Sequence, residues 1–252
     1  MPGRPELPPI IPGVYLVGTP IGNLEDITLR ALRVLESANV LAAEDTRVTR
    51  KLFQIHQLQP PKTIYACNAH TEDKVAERLV RHAQAGKIVA YASDAGMPGI
   101  SDPGCRIARA AAAAGAHLEV IPGPSAVTTA IAASGINAAS FTFLGFPSRR
   151  NGRLREELRR HGAMLPALVF YESPHRLSRL LEIAREMLGD DRNAAICLEL
   201  TKKFERFFRG KLSDVSGIFR DAEVRGEAVV VIAGKRKSAR DFAEGDEILI
   251  DN

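Results

Sequence analysis

Short apolar runs of strand length alternate with longer stretches of helical period, and that alternation limits the chain to few folds. The runs Val14–Gly18, Val40–Ala43, Thr63–Ala66, Ile88–Ala92 and Leu118–Ile121 predict strands, and apolar residues between them recur at helical spacing, as in Ile27, Leu29, Leu32 and Leu35. Strand, helix, strand in this order predicts an α/β fold with a mainly parallel sheet. Pro122-Gly-Pro124 interrupts it, and Ser125 is placed to cap a helix over Ala126–Ala133 that stops at Gly135. A second α/β set follows, with strands predicted at Ser140–Gly145, Ala167–Tyr171, Ala194–Leu200, Arg206–Arg209 and Ala228–Ala233, and helices near Leu154–His161 and His175–Leu188. The division predicts an N-terminal lobe over 13–122, a C-terminal lobe over 123–236 and a tail, 237–252, with little order.

Several classes of function fall away. With 252 residues, 45% of them hydrophobic, the chain can bury a sizeable core. No apolar run approaches the roughly 20 residues that span a bilayer, and the Pro-rich start lacks a signal peptide's apolar region, so a cytoplasmic location is expected. Cys67, Cys105 and Cys197 are odd in number and far apart, with no ligand spacing, which argues against both a disulfide framework and a metal site. The turn after the first strand reads Gly18-Thr-Pro20-Ile-Gly22-Asn23-Leu24 rather than G-x-G-x-x-G. Neither a Walker A Lys-Ser/Thr pair nor a G-x-S-x-G elbow is present, so nucleotide hydrolysis and serine-triad chemistry lose their support.

The loop after Ile88–Ala92 carries the most chemistry. Ser93-Asp94-Ala95-Gly96-Met97-Pro98-Gly99-Ile100-Ser101-Asp102-Pro103-Gly104 combines small residues, which let a ligand approach the backbone, with prolines that stiffen the loop. N–H groups at the start of the next helix add donors. These features suit a nucleoside-cofactor pocket, against the alternative of an ordinary strand-to-helix turn.

Seven segments in order carry a family resemblance: Gly18–Leu24, Ala43-Glu-Asp-Thr-Arg47, Ser93–Gly96, Ile100–Gly104, Pro122-Gly-Pro-Ser-Ala126, Phe170-Tyr-Glu-Ser-Pro-His-Arg-Leu177 and Glu199-Leu-Thr-Lys202. Together they make the chain similar to the tetrapyrrole methylase superfamily, in its branch of small-subunit ribosomal RNA methyltransferases, over about Gly13 to Gly234. The resemblance implies a two-lobed fold, a mainly parallel N-terminal sheet, a mixed C-terminal sheet and S-adenosylmethionine in the cleft between lobes. It also implies a homodimer that methylates the ribose 2'-OH of a cytidine in the 16S decoding region. For the cofactor it points to Pro20, Asp94, Ala95, Gly96, Met97, Ser101, Ser125, Ala126, Tyr171, Glu227 and Ala228. Met97 stands where the family usually has Thr. A different acceptor, a tetrapyrrole carbon or a peptide nitrogen, and a non-catalytic RNA- or cofactor-binding scaffold are the alternatives.

Methylating a hydroxyl needs in-line placement and help with its proton. Glu44, Asp45 and Arg47 follow the second strand on the rim where open α/β sheets place ligands, while Asp45 or Thr46 could instead cap the next helix. Lys202 could contact phosphate or lower the hydroxyl's pKa, against a solvated surface lysine. Arg149, Arg150 and Arg153 open an Arg-rich stretch suited to RNA phosphates, and Lys203 belongs to a second basic group. A solvated helix in which Glu156 and Glu157 pair with Arg159 and Arg160 explains the rest of that stretch but not its leading arginines.

Overall fold

The structure, a computed structural model, describes residues 7–68, 70–220, 224–235 and 249–251. The chain divides into two compact units, Met1–Ser125 and Ala126–Asn252. In the first, β1 (Gly13–Val17), β2 (Val40–Ala43), β3 (Thr63–Ala66), β4 (Ile88–Ala92) and β5 (Leu118–Ile121) form a parallel sheet in the order β3-β2-β4-β1-β5. Its connections contain α1 (Leu29–Ser37), α2 (Thr46–Ile55), α3 (Glu72–Gln84) and α4 (Gly104–Ala113).

Successive strand residues face opposite ways, and both faces are covered. Tyr15, Val17, Leu41, Ala90 and Ile121 pack against Ala31, Val34 and Leu35 of α1 and Leu52 and Phe53 of α2. Val14, Leu16, Val40, Ala42, Val89 and Tyr91 meet Val75 and Leu79 of α3 and Ile107 and Ala111 of α4. The central strands β1, β2 and β4, buried on both sides, have no polar alternation, which is why they read as uninterrupted apolar runs. The edge strands β3 and β5 are only partly buried, and β5 carries Glu119. The α1 face differs from expectation: Leu29 is exposed, and the buried stripe runs through Ile27, Ala31, Val34 and Leu35. Thr28, whose side chain accepts from the Ala31 N–H, starts the helix so that Leu29 turns outward.

The strand order fixes where a ligand can enter. From β1 the chain crosses through α1 to β2, beyond β4; from β4 it crosses through α4 to β5, beyond β1. Adjacent strands thus send their connections in opposite directions, opening a crevice at their carboxyl ends.

In the second unit β6 (Phe141–Phe143), β7 (Ala167–Glu172), β8 (Asn193–Leu198), β9 (Arg206–Lys211), β10 (Ala228–Ile232) and β11 (Leu249–Asp251) form a sheet in the order β11-β9-β8-β10-β7-β6. The β6–β7 pairing is parallel and the others antiparallel. Residues of α6 (Asn151–Gly162), α7 (Pro174–Leu188) and α8 (Leu212–Phe219) share one core with Leu168, Phe170, Ile196, Phe208 and Val230 of the sheet. On the opposite face lies α5 (Ala126–Ser134), where the Cys197 thiol donates to the Ala130 carbonyl at 3.8 Å. The sequence does not announce α8. Within the tail expected to lack order, residues 237–248 and 252 lie outside the described residues, while Leu249–Asp251 pairs with Phe207–Arg209 of β9.

Register also gathers one end of this sheet. Glu172 at the end of β7 faces Ala228 at the start of β10, which faces Leu198 at the end of β8, which faces Arg206 at the start of β9. The loops leading into α6, α7 and β10, and the loop leaving β8, all emerge there.

Candidate functional site

In the first unit three loops meet through their backbones. Thr19 and Gly96 exchange hydrogen bonds, N–H to carbonyl, of 3.0 and 3.1 Å, tying the loop after β1 to the loop after β4. The Thr19 hydroxyl donates to the Ser93 carbonyl at 3.1 Å, and the Ser93 hydroxyl to the Gly96 carbonyl at 2.9 Å. Gly18 meets the loop after β5 so closely that an added Cβ would lie 2.8 Å from the Gly123 Cα. Gly96 has φ of +85°, and a Cβ there would stand 3.3 Å from Ile21 Cγ2 and 3.5 Å from the Pro124 carbonyl oxygen. Only a residue without a side chain permits the approach at Gly18, and the positive φ of Gly96 favours glycine there. Met97, where a hydroxyl residue was expected, turns its sulfur inward to accept the Gly123 N–H at 3.1 Å.

Buried Pro20 and half-buried Asp94 and Met97 border this junction, while Ala95 and Ser101 are exposed. Ser101 sits at φ +68°, a strained conformation for a residue with a side chain. Asp102 holds that shape, since its carboxylate accepts N–H groups from Gly99 at 2.9 Å and Gly104 at 2.7 Å and the Tyr91 hydroxyl at 3.2 Å. Sequence reasoning passed over Asp102, although Ser-Asp-Pro-Gly is turn chemistry in which Asp bonds nearby backbone. Ser125 stands immediately before the first residue of α5, Ala126.

The rim beyond β2 is acidic. The Asp94 carboxylate accepts the Asp45 N–H at 2.8 Å, joining the two rim segments. Asp45 is the N-cap of α2, accepting the Arg47 N–H at 2.8 Å, and it also binds the Arg47 guanidinium, Nη2 to Oδ2, at 2.6 Å. Hydrogen bonds from Arg47 hold the Asp45 carboxyl down to about 2. Cap and arginine are therefore one assembly: Asp45 caps, and Arg47, its side chain almost wholly exposed, is steered by the cap. Glu44 behaves oppositely. Burial, then the nearby charges of Asp94 and Asp102, push its carboxyl above the ordinary carboxylate range, which improves it as a proton acceptor.

In the second unit Lys202 is clamped, its ammonium donating to Glu199 at 3.0 Å and Glu227 at 2.9 Å. Burial works against its charge, but the hydrogen bonds to the two carboxylates prevail and raise its pKa, so it is a fixed cation rather than a base. Glu199, which the sequence reading left without a role, also accepts the Glu227 N–H at 2.8 Å. Its neighbourhood is strained: Glu199 and Thr201 have φ of +52° and +62°, and Gly226, at +99°, has no room for a Cβ beside the Glu199 carboxylate. Exposed Glu227 leads to buried Ala228 at the start of β10. The Tyr171 ring packs edge-on against Phe143 and Phe146, at 4.8 and 5.6 Å between centroids.

At the start of α6, Arg149, Arg150 and Arg153 are exposed and have no ion-pair partner among the described residues, whereas Arg155 binds Glu186 and Arg159 binds Glu156 further along. Lys203 is exposed, its ammonium 5.6 Å from the Phe204 ring centroid. Among the described residues no cluster of His, Cys, Asp and Glu could hold a metal, and no helix is long and apolar enough to cross a membrane.

The family model of Tetrapyrrole (Corrin/Porphyrin) Methylases matches residues 13–216. Ribosomal RNA small subunit methyltransferase I of Bacillus subtilis is 40% identical over 92% of this chain and 78% of its own. Its namesake in Thermotoga maritima is 40% identical over 88% of this chain and 98% of its own. Among solved structures, uroporphyrin-III C-methyltransferase of Thermus thermophilus, complexed with S-adenosylhomocysteine, superposes with a TM-score of 0.60 at 24% identity, covering 88% of this chain and 97% of the other, a likeness of fold. The chain therefore belongs to the tetrapyrrole methylase family, within its ribosomal RNA small subunit methyltransferase I branch.

Proposed function

We propose that this protein transfers a methyl group from S-adenosylmethionine to small-subunit ribosomal RNA, at the 2'-hydroxyl of a cytidine ribose in the 16S decoding region. The observation that carries the reading is the junction of the loops after β1, β4 and β5, where glycines let the loop backbones pack closely together at the carboxyl-end crevice of a parallel sheet. A pocket of backbone and small residues suits a nucleoside cofactor. The residues fit the group: Gly18 and Gly123 let two of the loops meet backbone to backbone, Gly96 takes a positive φ between them, and Asp102 holds the strained loop through Ser101 in shape. Pro20, Asp94 to Met97, Ser101 and Ser125 would hold it from the first unit; Ala126, Tyr171, Glu227 and Ala228 are the candidates of the second.

When bound, S-adenosylmethionine supplies an electrophilic methyl on a sulfonium. Glu44, its proton affinity raised by burial and neighbouring acids, accepts the ribose hydroxyl proton. Arg47, gripped through Nε and Nη2 by Asp45, keeps its Nη1 donors for the acceptor and orients the acceptor's phosphate or ribose. Lys202 holds the Glu199–Glu227 loop and contributes a fixed positive charge. The unpaired arginines at the start of α6 favour an RNA acceptor over a tetrapyrrole or peptide. A cytoplasmic homodimer belongs to the same reading.

Thermal unfolding with S-adenosylhomocysteine tests it. At about a hundred times the dissociation constant, binding stabilises the fold by about 2.7 kcal/mol and raises the melting temperature by about 5–10 °C. No shift at millimolar ligand ends the methylase reading.

A further inference from the structure

Two helices in the second unit begin against electrostatic preference. The helix dipole favours acids in the first turn, and neither α6 nor α7 has one there. Instead α6 starts with Arg150 at its cap position and Arg153 in its first turn, preceded by Arg149, while α7 starts Pro174-His175-Arg176. Later on α6 the arrangement reverses: Arg155 and Arg159 are neutralised by Glu186 and Glu156. At the start of α6 Arg149, Arg150 and Arg153 have no ion-pair partner among the described residues, and positive charges facing a helix's positive end contribute nothing to stability. A feature that breaks a local rule without stabilising return marks a functional surface.

The two starts are stitched together. From the second turn of α7, Arg179 donates through Nε to the Asn151 side chain at 2.7 Å and through Nη2 to the Ser148 carbonyl at 3.0 Å, holding the loop that carries Arg149 and Arg150. Arg176 is aimed as well. Its Nε and Nη2 both bind Oε1 of Glu172, at 2.7 and 2.6 Å, and the Ser173 N–H shares that oxygen at 2.8 Å. Oε2 of Glu172 is buried without a hydrogen-bond partner among the described residues. A buried carboxylate kept half-satisfied gives poor stability, but it fixes one edge of a guanidinium and leaves the Nη1 edge for another acceptor. His175 beside it is exposed.

We propose that Arg149, Arg150 and Arg153 of α6 with His175 and Arg176 of α7 form one surface that takes successive phosphates of the ribosomal RNA acceptor. Arg179 and Glu172 act as positioning residues. The inference rests on the RNA-methylating reading and adds the α7 wall to it. Unpaired guanidiniums, helix N–H donors and a prearranged fork all select phosphate oxygens.

The test is the double variant R150D/H175E, one change on each helix. Asp at the cap of α6 and Glu in the first turn of α7 suit the helices, so the melting temperature stays at or above the parent's. Affinity for a small-subunit ribosomal RNA fragment falls more than a hundredfold, its salt dependence becomes shallower by at least one counterion, and S-adenosylhomocysteine affinity is unchanged. R179K keeps the charge but loses the two-point stitch, and weakens RNA binding about fivefold with the salt slope intact. If the parent methylates the RNA and R150D/H175E binds it within threefold of the parent, the surface is wrong and the activity stands. A parent that binds no RNA overturns both. Equal parent affinity for phosphatidylserine vesicles, lost in the same variant, would make the surface a membrane contact and overturn the RNA assignment.

Discussion

Replacing Gly96 by Val is expected to raise the dissociation constant of S-adenosylhomocysteine at least about a hundredfold. At φ +85° the backbone is in the left-handed region, and the first added carbon would already touch Ile21 and the Pro124 carbonyl. Any longer side chain must enter the crevice or displace the loops that form it. Strain makes this variant less stable too, by about 1–3 kcal/mol for a branched residue in that region. Gly96→Asn separates the two effects, because Asn tolerates a positive φ. It should keep most of the stability and still lose binding. Normal ligand affinity in Gly96→Asn would remove the loop after β4 from the cofactor site.

Arg47→Lys should lower turnover about a hundredfold with cofactor affinity unchanged. Lysine keeps the charge but cannot bind Asp45 through two donors and present a third in a fixed plane. Asp45→Ala is the informative partner. It removes the α2 cap and frees Arg47, so the melting temperature should drop by about 2–4 °C and turnover should fall as in Arg47→Lys. Activity following stability alone in Asp45→Ala, with Arg47→Lys as fast as the parent, would make this assembly a helix cap and nothing more.

How much of this was legible depends on where the determining forces act. The central strands of the first unit could be placed closely because both their faces are buried, leaving runs such as Val40–Ala43 wholly apolar. Helix α8 was missed for want of a start signal: it follows β9 with no intervening turn, and Lys211 at its cap makes no side-chain cap bond. The face of α1 was misjudged because Leu29 matches the helical period, yet the Thr28 cap sets a phase that turns it outward. At the site, carboxyl-end loops can be found from strand order, and the excess of arginine before α6 from composition. Long-range partners cannot. Nothing near Glu199 in sequence announces that it braces Gly226 and Glu227, and nothing near Gly123 announces the Met97 sulfur. Those links exist only once the loops have been brought together.

The most direct measurement is methyl transfer from labelled S-adenosylmethionine to small ribosomal subunits purified from cells lacking this protein, with the product mapped by ribose-specific digestion. Label on the 2'-oxygen of one cytidine in the decoding region, dependent on Glu44 and Arg47, is the expected result. Label on a base, on protein or on no component of the subunit would contradict it.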